Sequence, residues 1–150
     1  MKKLVLAASV ALLAACSAPQ QPQLNLMPQT TLSTNSIVQG KTYSLTSKDV
    51  RAAQYVALVD DGRSNILPLH AKQNLRITLE DAFAQQFASQ GFRTDLNSNN
   101  SIELEIQEAL INVKHSVMEN EMDAKVVIEI TAETPEGKLA VSYTHLRAHE

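Results

Sequence analysis

The clearest hydrophobic pattern in the chain is a helical stripe. Leu75, Leu79, Phe83 and Phe87 recur every four residues, with Ala82 and Ala84 beside them. That spacing puts one apolar face on a helix and predicts that Phe83 and Phe87 are buried against a sheet. The helix is expected from about Asn74 to Gln90. Asn74 is a residue type that caps a helix N-terminus. Gly91 supplies the left-handed stop, and Phe92 stands where it can touch Phe87 across that end. Arg76 and Glu80 are four apart and pair weakly in water.

The second pattern is alternation. Ile102, Leu104 and Ile106 alternate with Glu103, Glu105 and Gln107. The apolar phase then slips to Ala109, Ile111 and Val113, which predicts a bulge or twist near Glu108. Met122, Ala124, Val126, Ile128, Ile130 and Ala132 form a second alternating strand. Residues 115–121 would join the two as a hairpin. Thr134, Pro135, Glu136 and Gly137 read as a turn, and Lys138, Leu139 and Ala140 begin a third strand. Upstream, residues 41–51 look extended, with Tyr43, Leu45 and Ser47 on one side. Residues 53–59 form an apolar run too short to type by period. Asp60, Asp61 and Gly62 make a turn, and residues 66–69 lead into the helix. The expected fold is α/β in the α+β sense: a mostly antiparallel sheet with a long hairpin, packed against one main helix.

The N-terminus carries a different signal. Lys2 and Lys3 precede an apolar run from Leu4 to Leu13 of about ten residues, the length of a secretory signal core. It is about half of the roughly 20 residues a membrane-spanning helix needs. Leu13, Ala14, Ala15 and Cys16 then read as a lipobox, with residues 1–15 removed and lipid placed on the Cys16 sulfur and its new N-terminus. Buried methylenes contribute about 0.8 kcal/mol each, so several acyl chains hold a protein firmly to a bilayer. Ser17, rather than Asp, follows the cysteine. In bacterial lipoproteins of this kind that implies outer-membrane sorting, with the protein facing the periplasm. Residues 16–40 are rich in Pro, Gln, Ser and Thr and read as a lipidated, flexible tether reaching roughly 25 Å. Leu24, Leu26 and Met27 leave open a short strand there instead.

From residue 44 to residue 140 the chain resembles the YajG-type bacterial lipoproteins. The resemblance rests on the capped start Asn74, Leu75, Arg76, the helix end Gln90, Gly91, Phe92, and the paired strands closing at Gly137. It implies an envelope lipoprotein without an established activity. It also implies an α/β domain in which a further strand and helix follow the third strand. Residues 141–150, from Val141 to Glu150, depart from that pattern and read as the translation of a transposon-type sequencing adapter. On that reading the domain at 41–140 is truncated at its C-terminus, and any strand past Ala140 should last only a few residues.

Composition and charge narrow the function classes. The net charge is −3. Without Lys2 and Lys3, 11 basic side chains face 16 acidic ones, a net charge of −5. Such a body is not expected to bind nucleic acid, so its attachment to the membrane is assigned to the lipid on Cys16. Acylation of Cys16, the only cysteine, leaves no thiol for a disulfide or for catalysis.

Other chemistry-bearing residues have plain structural readings. His145, His149 and Glu150 mimic a metal set at helical spacing but fall in the adapter stretch. Glu103 and Glu105 belong to a solvated strand face, with Glu108 beside them. Asp60 and Asp61 lack the spaced ligands of a calcium loop. His70 and His115 show no partner spacing and read as surface or edge residues, and Ser64 and Ser116 lack a nucleophile context. No cofactor, metal or enzymatic activity is therefore expected. The expected role is that of a non-enzymatic accessory or scaffold protein with an envelope protein as partner. The alternative is a binder of a small ligand or cell-wall fragment, in a pocket between the helix and the turn at 60–65.

Overall fold

A computed structural model describes residues 21–34, 38, 40–116 and 120–149. Cys16 and the rest of the signal segment lie outside the described residues. Among the described residues, eight strands and one helix follow in order: β1 Gln23–Leu24, β2 Thr42–Asp49, β3 Tyr55–Asp60, β4 Ile66–Ala71, α1 Leu75–Ser89, β5 Arg93–Thr94, β6 Ser101–His115, β7 Asn120–Thr134 and β8 Gly137–His149.

The sheet is organised on β6. Along one side β6 pairs antiparallel with β7 over nearly its whole length. On its other side it changes partner halfway. Residues 101–106 pair parallel with β2, and residues 111–114 pair parallel with β3. The β6–β7 register shifts between Ile106 and Glu108, so Gln107 is the bulged residue, as the phase slip predicts. The bulge falls where β2 leaves β6 and β3 joins it. β3 pairs antiparallel with β4, β4 pairs parallel with β1, β5 pairs parallel with β2, and β8 pairs antiparallel with β7.

The sheet is therefore mixed and curls into a half-barrel, which corrects the expectation of a mostly antiparallel one. Alternation reveals which face of a strand is buried, and a short turn reveals a hairpin. Neither signals parallel pairing between segments as far apart as Leu45 and Ile102. β4 also escapes the sequence pattern, because Pro68 interrupts it. Proline is tolerated there because β1 covers only His70 and Ala71, so Pro68 lies on an open edge.

The core forms two adjoining clusters. Tyr43, Ile102 and Leu104 are buried with Leu45, Phe83, Phe87 and Phe92 packed on them. Val56, Leu75 and Ile106 form the second, with Leu24, Leu26, Ala71 and Leu79 around it. Phe83 and Phe87 are half-buried rather than buried, because one flank of the helix faces open space. Their rings stack at 4.2 Å, and Phe87 meets Phe92 at 4.9 Å and Tyr43 at 5.4 Å.

Among the described residues, several in the stretch read as a tether make contacts with the domain. Leu24 accepts a bond from the Lys72 N–H at 2.8 Å, and Leu24 and Leu26 pack on the second cluster. Further along, the Ser33 N–H donates to Ser89 Oγ at 3.0 Å, and the Val38 N–H to the Gln90 carbonyl at 3.1 Å. The segment is a strap running from the start of α1 to its end. The hydrophobic residues Leu24 and Leu26, spaced by two, carry the contact that the surrounding Pro and Gln conceal.

β8 pairs with β7 as far as Met122 and His149, well past the few residues expected after Ala140. An edge ladder asks only for an extended, proline-free segment, and 141–149 satisfies that. Leu139, Val141 and Tyr143 remain more than half exposed.

Candidate functional site

A helix about 10 Å across covers about two strands spaced at about 4.8 Å. α1 lies over β2 and β5 and packs on Ile102, Leu104 and Ile106 of β6, so the inner face of β7 and β8 is left to one side of it. Between them is a cavity of about 420 Å³. Its floor is two rows of cross-strand neighbours: Leu104 beside Ile130, and Ile106 beside Ile128 and Tyr143. Leu79, Ala82, Phe83 and Gln86 of α1 form one wall. Residues 28–31 of the strap, Pro28, Gln29, Thr30 and Thr31, close another side.

The one charged group among the described lining residues sits at one end, beside Ser47. Arg76 Nη1 donates to Ser47 Oγ at 2.7 Å and to Glu80 Oε2 at 3.0 Å, and Ser47 and Glu80 are themselves hydrogen-bonded. Arg76 and Ser47 line the cavity; Glu80 does not and instead borders a separate depression with Asp81 and Leu96. The weak surface pair foreseen for Arg76 and Glu80 is thus part of a three-residue cluster anchored to β2. Cavities of 300–1,000 Å³ with apolar walls and a few placed polar groups are the usual form of small-molecule sites.

This cavity is not where the sequence put it. The turn at 60–65 lies at the far end of β6, against residue 115. Asp60 faces Lys114 in register there, and a Cβ on Gly62 would run into the His115 carbonyl. Asp60 Oδ1 and Asp61 Oδ1 accept backbone N–H groups of Gly62 and Arg63, at 2.9 and 2.7 Å. Those aspartates hold the loop shape.

The other candidates do not converge. Glu103 pairs with Lys48, Glu108 pairs with Lys125 at 2.6 Å, and Glu105 accepts from Gln107 at 3.3 Å. His115 Nδ1 lies 2.8 Å from Asn120 Oδ1 across the hairpin, and His70 is on β4. Ser64 takes φ 69 in the 60–65 loop, while Ser116 follows β6. Among the described residues, no three His, Cys, Asp or Glu side chains gather as a metal site, and no helix is long and apolar enough to cross a membrane.

The residues of the cavity were legible singly but not as a site. The helix stripe and the strand alternation named Leu79, Phe83, Leu104, Ile106, Ile128 and Ile130 as core. Only the sideways placement of α1 leaves some of that core open.

A family model described as an uncharacterized lipoprotein matches residues 28–150. No curated protein matches the chain. Among solved structures, the chain is similar to protein XCC0632 from Xanthomonas campestris, with a TM-score of 0.53 and 11% identity, over 86% of this chain and 77% of that one. It is also similar to a crystal structure of an uncharacterized protein, with a TM-score of 0.52 and 6% identity, over 85% of this chain and 80% of that one. At such identities the likeness is one of fold.

Proposed function

Because the chain belongs to the YajG-type family of uncharacterized lipoproteins, we propose that it is a non-enzymatic accessory protein of the cell envelope. It is held to the periplasmic face of the outer membrane by lipid on Cys16 and takes up an apolar group in the cavity beside α1. The observation that carries this reading is the cavity itself. Its floor and much of its helix wall are aliphatic and aromatic, and its roof at 28–31 belongs to the same strap that leads back toward Cys16. An apolar face left in water is costly, at about 25 cal/mol for each Å². A site of this kind therefore favours an apolar occupant over the polar sugars of a cell-wall fragment.

Two measurements test the two halves of the proposal. Cys16→Ala should abolish incorporation of labelled palmitate and release the protein from the membrane. Retained label and retained outer-membrane position would sink the lipobox. A photo-crosslinking residue placed at Gln86, on the cavity wall, should give a discrete adduct in cells. The same residue at Leu96, which is 89% exposed and away from the cavity, should not. Equal labelling from both positions would overturn the cavity as the working site.

A further inference from the structure

We propose that the occupant of the cavity is a single-chain amphipathic anion of the fatty-acid class, with its carboxylate at Arg76. This rests on the reading of the cavity as a binding site and adds its ligand chemistry. Among the described residues, Arg76 is the only charged side chain lining the cavity, and no carboxylate lines it. Arg76 sits in the first turn of α1 and Gln86 in the last part of it, ten residues on. At 1.5 Å per residue the site extends about 15 Å along the helix, with its cation at one end.

The rest of the arrangement fits an acyl tail with an acidic head. Ser47 and Glu80 occupy Nη1 of Arg76 and hold the guanidinium in place. Nε and Nη2 have no hydrogen-bond partner among the described residues. They form the edge of the guanidinium that can accept a carboxylate in the two-pronged geometry. From there the walls are Leu79, Phe83, Ile106, Ile128 and Ile130, which offer a tail dispersion contacts and no hydrogen bonds. Thr30 and Thr31 border the same space from the strap.

The test compares three probes of equal tail length by calorimetry on the full chain, each below its micelle concentration: dodecanoate, dodecanol and dodecyltrimethylammonium. Dodecanoate should bind at one site, at least tenfold more tightly than the cation. Arg76→Gln should remove that preference while leaving dodecanol binding unchanged, and Arg76→Lys should retain part of it. Ala82→Trp, which fills the cavity, should block all three, with the circular dichroism spectrum confirming that each variant is folded. Equal affinity for anion and cation, or no effect of Arg76→Gln, overturns the anion assignment. If dodecanol still binds and Ala82→Trp still blocks it, the apolar site stands. If none of the probes binds the folded protein, the cavity reading falls as well.

Discussion

Arg51 resolves a problem that the fold creates for itself. Where β6 exchanges β2 for β3, its backbone loses a neighbour for a few residues. Arg51 fills the gap: its Nη1 donates to the carbonyls of Tyr55 and Ala109, at 3.4 and 3.5 Å. Asp49 holds the guanidinium through two bonds of 2.8 Å, and the two side chains are only 5% and 14% exposed. The hydrogen bonds from the Arg51 side chain hold the Asp49 carboxyl below the usual aspartate range, against the opposing effect of burial. Its folded value is depressed, so its stabilising contribution is full above the ordinary value of about 3.9 and is lost as pH falls through the lower, folded one. The wild type should therefore exceed Asp49→Asn in urea midpoint at neutral pH, and the gap should narrow as pH falls below about 3.9. A gap independent of pH would show that the carboxylate charge is not what matters. Removing the cation instead, as Arg51→Ala, should cost about 1–3 kcal/mol, because it leaves a half-buried carboxylate without its partner.

At the scale of elements, α1 is the part that local sequence fixes most completely. Asn74 Oδ1 accepts the Ile77 N–H at 3.3 Å, as an N-cap should. At the other end Gly91 takes φ 97, the Phe92 N–H reaches the Phe87 carbonyl at 3.2 Å, and the Gly91 N–H reaches Ala88 at 3.0 Å. That pair of bonds is the Schellman closure, and the Phe87–Phe92 ring contact is the hydrophobic clasp that accompanies it. Asn74→Ala should lower stability by about 1 kcal/mol in chemical denaturation. An unchanged midpoint would mean that tertiary packing, not the cap, sets where the helix begins. The strands behave differently. β6 and β7 are legible from alternation, while β4 is hidden by Pro68 and β1 by its brevity.

At the scale of the whole molecule, the strap joins the proposed membrane anchor to the core. Leu24 and Leu26 pack with Val56, Leu75 and Ile106, and residues 28–31 continue as the roof of the cavity. The described part of the strap thus packs on the folded domain. The Lys72 amide, bonded to the Leu24 carbonyl, should be protected in hydrogen exchange. The double change Leu24→Ala with Leu26→Ala should expose that amide and lower stability by about 2 kcal/mol, scaled down from full burial because both side chains are half-buried. Unprotected exchange at Lys72 in the wild type would return the segment to the status of a tether.

The sequence by itself determined everything that depends on neighbours within a turn or a hairpin. The span and both ends of α1, the β6–β7 pairing, the bulge beside Glu108 and the turns at 60–62 and 134–137 are all local. Each follows from side-chain periodicity or from a residue type suited to one backbone shape. The tertiary structure decided what depends on contacts far apart in the chain. The parallel seating of β2 and β3 along β6, the docking of the strap and the guanidinium in the partner exchange leave no periodic trace. Nor does the cavity. Apolar spacing marks which side chains leave water, but whether a helix covers all of them or stands aside from Ile128 and Ile130 is settled only when the layers meet.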